Sequence, residues 1–166
     1  MTEMRVYIAN LGKYVEGESI GEWFTLPVVF EDVQERIGLN ERYEEYAIHD
    51  YELPFEIGEY TSIEELNQMY YLIEDIEARI PQDDIKAIID GFGITLEELA
   101  DKVDDITYYP GLSDMLDLAQ TLAEEGLLGE IPEWLQYYVD YDAIARDMEI
   151  EGNFAIGSNG IYEMNW

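Results

Sequence analysis

His49 is the only histidine of the 166-residue chain, and it lies in RYEEYAIHDYELPF, residues 42–55, among Glu44, Glu45, Asp50, Glu52 and three tyrosines. An imidazole among carboxylates suggests proton transfer or metal ligation. Neither set can be completed here, because the chain has one His and no Cys, and nucleophile–base–orienter triads and nitrogen- or sulfur-rich metal sites need more than one such group. His49 is therefore expected to partner a neighbouring carboxylate. Paired acids could serve glycoside hydrolysis, but 39 Asp and Glu make close pairs unavoidable, so a pair discriminates nothing. DKVDDITYYPGL and DYDAIARDMEIE lack the spacing and closing glutamate of an EF-hand loop. G-x-G-x-x-G and phosphate-loop motifs are absent as well. The chain is expected to be no enzyme, with no catalytic residue, no cofactor and no metal site.

Charge is what remains. The 39 acids face 8 Lys and Arg, a formal net charge of -31. They are spread evenly: 14 acids and 4 bases in residues 1–60, 11 and 3 in 61–103, 14 and 1 in 104–166. A solvated acidic tail would be confined to one end. Disorder is excluded by 48% hydrophobic and 13% aromatic residues, since disordered acidic chains lack the apolar side chains that offset ordering entropy. A salt-adapted surface would favour small residues over 14 Tyr and 3 Trp. Without cysteine, and with no apolar run behind a basic flank in MTEMRVYIANLGKY, the expected location is the cytoplasm, with no membrane span.

The elements that must carry this charge fall into three regions. MRVYIAN (4–10), GEWFTL (21–26) and the opening stretch read as strands, with the helix VVFEDVQERI between Pro27 and Gly38. From Thr61 the apolar period changes from two to 3.6. Ser62 with Glu65 and Thr95 with Glu98 form capping boxes, and Pro81 opens a helix that Gly91 is expected to stop. Ser113 is the expected cap of a helix ending at Gly126; Pro132 starts a short helix, Asp140 caps another, and Asn159–Gly160 is the expected hairpin turn. The prediction is an α+β chain of three small domains: 1–61 α+β, 62–103 helical, 104–166 α+β.

VYIANLGKYVEG with GEWF, then YEEYAIHDYELPF, then LLGEIPEWLQYYVDYDAIARDM resemble, in the same order, the N-terminal, first-domain and antirestriction-motif segments of the ArdA family of DNA-mimic antirestriction proteins. The resemblance implies an elongated, curved chain of three domains in a row. It implies a homodimer that occupies the DNA-binding groove of type I restriction-modification enzymes and so protects incoming plasmid or conjugative-transposon DNA. It places the antirestriction motif, and with it the dimer interface, at Leu127, Leu128, Gly129, Ile131, Trp134, Leu135 and Tyr138. Ordinary core packing is the alternative role for these residues.

Duplex DNA carries about one negative charge per 1.7 Å, so 31 net charges correspond to roughly 50 Å of duplex, against a diameter of about 40 Å for a compact chain of this length. The carboxylates expected to imitate phosphates are Glu44, Glu45, Asp50, Glu52, Glu64, Glu65, Asp75, Asp83, Asp84, Glu97, Glu98, Asp101, Asp104, Asp105, Asp114, Asp117, Glu124 and Glu125. No nucleic acid is expected to bind so acidic a surface. An acidic module or chaperone for another basic DNA-binding protein would share the charge without needing its spacing.

Overall fold

The computed structural model describes residues 3–165, and its helices and two small antiparallel sheets make an α+β protein. The chain divides into two compact units, residues 1–78 and 79–166. That division groups the helix after Ser62 with the first sheet and the helices of 85–102 with the second.

In the first unit, β1 (Arg5–Asn10) lies between β2 (Gly21–Thr25) and β3 (Tyr46–Glu52), both antiparallel to it. The pairing shifts register between Tyr7 and Ile8, a bulge in the β1–β3 ladder. Alternation puts Val6, Ile8, Phe24 and Ile48 inside, where α2 (Phe30–Ile37) adds Val33 and Ile37 before closing on left-handed Gly38. A short helix that the sequence pattern did not reveal, α1 (Leu11–Val15), follows β1. Asn10 causes it: fully buried, this side chain accepts from the Lys13 N–H at 3.1 Å and donates to the Ile37 carbonyl at 3.0 Å. One residue thus caps α1 and ties it to α2. α3 (Ile63–Glu77) starts at the expected Ser62/Glu65 capping box and buries Ile63, Leu66, Ile73 and Ile76. Asn67 on α3 exchanges two hydrogen bonds with the backbone of Val28, at 2.7 and 2.8 Å.

The second unit opens with a 3-10 turn at Gln82–Asp84 running into α4 (Ile85–Phe92). Gly91 does not stop α4. The helix continues to Phe92 and closes on Gly93 at φ 65°. Gly91 is instead a packing position, since a Cβ there would stand 3.0 Å from that of Ala155. α5 (Leu96–Lys102) begins at the expected Thr95/Glu98 capping box. A strand that Pro110 had masked as a turn, β4 (Ile106–Pro110), pairs with β6 (Gly160–Met164), which in turn pairs with β5 (Phe154–Ile156). α6 (Met115–Glu124) and α7 (Tyr141–Glu151) pack Leu118, Ala119, Leu122 and Ala145 around Ile161. α6 is capped by Asp114, one residue after the expected Ser113, because the Asp114 carboxylate accepts from the Asp117 N–H at 2.8 Å. The β5–β6 turn also moves by one: Gly157 N–H bonds to the Gly160 carbonyl, leaving Ser158 and Asn159 at the tip instead of Asn159 and Gly160.

Candidate functional site

Acidic side chains concentrate where these elements meet solvent. Glu44 and Glu45 are exposed just before β3, and Asp50 and Glu52 are exposed on it. Glu52 is neutralised in place by Arg5, whose Nη2 donates to Oε2 at 2.6 Å. On α3, Glu64 and Asp75 are exposed, while Glu65 is exposed but accepts from the Ser62 N–H at 2.9 Å.

In the second unit Asp83, Glu97, Glu98, Asp101, Asp104, Asp105, Asp114, Glu124 and Glu125 are exposed, and Asp117 is half-buried beneath Ser113, which donates to it at 3.2 Å. Glu98 closes its capping box on the Thr95 N–H at 2.9 Å. Asp104 pairs with Arg79 at 2.8 Å. Such exposed pairs contribute about 0–1 kcal/mol, so they cost little to exchange for an external cation.

Asp84 is a correction to the expected set. Its carboxylate is fully buried and cannot face a partner. It accepts from the Ser158 N–H at 2.7 Å, the Ser158 hydroxyl at 2.8 Å, the Asn159 N–H at 3.1 Å and the Tyr162 hydroxyl. Burial alone would push this carboxyl up, but the donors from Tyr162, Ser158 and Asn159 outweigh it and hold Asp84 below the usual carboxylate range. The same contact, added to burial, raises the Tyr162 phenol far above its ordinary value. Asp84 is a structural anchor that fastens the hairpin tip to the start of α4.

His49 lies edge-on to Tyr14, ring centroids 4.8 Å apart, with Nε2 3.8 Å from Glu59 Oε1. Among the described residues no group of three His, Asp or Glu side chains is arranged to hold a metal. No helix among them is long and apolar enough to cross a membrane.

Residues 127–138 present the opposite chemistry. Leu127 and Leu128 follow left-handed Gly126, and Gly129 is also at positive φ. A 3-10 helix over Glu133–Tyr138 then holds Trp134, Leu135 and Tyr138 outward; only Ile131 is half-buried. Trp134 is 70% and Tyr138 79% exposed, so these side chains are not core within this chain. Tyr137, 91% exposed, belongs with them and was missed; its place between Tyr138 and Trp134 in PEWLQYYV was the available signal. Exposed Trp, Leu and Tyr side chains thus stand together in one short segment.

Acids are thus displayed on both units, and an aromatic segment stands exposed on the second. A family model described as antirestriction protein (ArdA) matches residues 6–163. The chain therefore belongs to the ArdA antirestriction family, whose members inhibit type I restriction enzymes. No curated protein matches it.

Proposed function

We propose that this chain inhibits type I restriction-modification enzymes by occupying their DNA-binding groove, its exposed carboxylates standing where phosphates would bind. One observation carries the proposal: nearly all the acids singled out are exposed, while Arg5, Arg36, Arg42 and Arg79 are each engaged by a nearby acid. A groove lined with Lys and Arg would meet little but negative charge. Carboxylates that replace phosphates allow such a groove to close on the protein, with release of the counterions each surface had gathered. Phosphate contacts carry no base information, so one inhibitor would act on enzymes of different sequence specificity. Leu127, Leu128, Trp134, Leu135, Tyr137 and Tyr138 would pair two copies, matching the two-fold character of a DNA groove.

Displacement of labelled DNA from a purified type I enzyme, repeated across salt concentrations, tests the mechanism. Displacement that weakens steeply with salt supports it. A log–log salt slope near zero, or inhibition without loss of bound DNA, would overturn groove occupation while leaving family membership untouched.

A further inference from the structure

The first unit repeatedly builds one kind of seat for a guanidinium. Arg5 Cζ lies 5.2 Å from the Trp23 ring centroid while Nη2 reaches Glu52 at 2.6 Å. Arg36 Cζ lies 4.4 Å from the Phe24 ring with Nε 2.6 Å from Glu22. Arg42 Cζ lies 5.1 Å from the Tyr43 ring with Nη2 3.7 Å from Glu16, over a ring that Lys13 Nζ also approaches, to 5.5 Å. Each pairs an aromatic face with a carboxylate, the combination that suits a planar, weakly hydrated cation better than a compact ammonium.

An open cleft of about 530 Å³ on the same unit offers those two components again. It is lined by Tyr14 at the end of α1, Ile48, His49 and Tyr51 of β3, and Gly58 and Glu59 beyond it. None of the residues that line it is a Lys or Arg. Tyr14 is 52% exposed, and the Glu59 side chain is open to solvent beside His49.

We infer that this cleft is a seat for an arginine side chain of the inhibited enzyme, received by the Tyr14 and Tyr51 rings and the Glu59 carboxylate. The identity of the partner rests on the groove-occupation proposal; the preference for guanidinium does not. The seat gives the interface what phosphate imitation alone lacks, a contact that tells Arg from Lys.

His49 supplies a local reporter, being the only imidazole of the chain. The full-length protein is titrated at one fixed pH with N-acetyl-arginine methylamide and with its lysine counterpart, while the His49 ring signals are followed by NMR. The expected result is a saturable His49 shift, with the arginine probe binding about threefold or more tighter than the lysine probe. The preference should vanish in Glu59→Gln and in Tyr14→Leu, each checked for an unchanged melting curve.

Equal response to both probes, or a preference that persists in the folded variants, overturns the seat. DNA displacement by the wild type is scored separately. Displacement without an arginine preference removes the seat alone, and an arginine preference without displacement keeps the seat and removes the groove.

Discussion

Asp84 allows a sharp test of the difference between a carboxylate that displays charge and one that holds the fold. Replacing it with Asn keeps the size but leaves one oxygen to serve the donors of Ser158, Asn159 and Tyr162, and turns an NH2 group toward the rest. Charge-assisted hydrogen bonds contribute about 1.5–3 kcal/mol each and are not additive, and each buried donor left without an acceptor costs about 1–3 kcal/mol. The expected loss for Asp84→Asn is therefore about 3–5 kcal/mol. Asp83→Asn, one residue away and exposed, should shift stability by about 0.5 kcal/mol or less. Both have the same formal charge, so their difference isolates the hydrogen bonds from the repulsion. Urea unfolding of each variant, followed by far-UV circular dichroism and tryptophan fluorescence, gives the two values. A loss under about 1 kcal/mol for Asp84→Asn, or equal losses for both, would refute the anchor.

Gly157→Ala should damage the same anchor, because a Cβ there would stand 2.6 and 2.7 Å from the two Asp84 carboxylate oxygens; urea unfolding should show a loss of about 1–3 kcal/mol. Two groups, one of them in the anchor, fix pH limits. Asp84, depressed in the folded state, contributes stability that is present above about pH 4 and lost as pH falls through its lower folded value. Tyr109 is pushed up to about 12 by burial and then by Glu163; its contribution is complete below about pH 10 and lost on the way to about 12. Unfolding midpoints measured from pH 2 to 12 should fall at both ends. Neutralising any one of Glu44, Asp75 or Glu97 should leave inhibition within about fivefold, given about 0–1 kcal/mol per exposed pair, whereas converting five or more exposed acids on one unit should weaken DNA displacement markedly. Trp134→Ala combined with Tyr138→Ala should shift sedimentation toward monomer without lowering the melting temperature, since neither side chain is buried within the chain.

Local chemistry was readable in the sequence, and distant chemistry was not. The Ser62/Glu65 and Thr95/Glu98 boxes were legible because both partners stand three residues apart, and the structure forms both. Strands β1, β2 and β3 follow from alternation, but β4 was hidden because its last residue, Pro110, is also a turn signal, and a strand end at a sheet edge tolerates proline. Asp84 looked like any acid in the first turn of a helix; its partners lie 74 to 78 residues away, beyond the reach of any spacing rule. Gly91 misled for a similar reason, since the strand that packs against it comes 64 residues later, at Ala155. For Leu127, Trp134 and Tyr138 the apolar types favour burial and left core packing open beside the interface that the family resemblance implied; their exposure removes the core reading.

Several of the acids have a second employment. Glu65, Glu98, Asp114 and Asp140 each receive a backbone N–H at the beginning of a helix, where removing the cap costs about 1 kcal/mol and the helix end itself favours negative charge. A lineage that met no restriction enzyme for many generations would still be held to these four, because losing them frays α3, α5, α6 and α7. Drift toward neutrality would start elsewhere, and a minimum of acidity would remain.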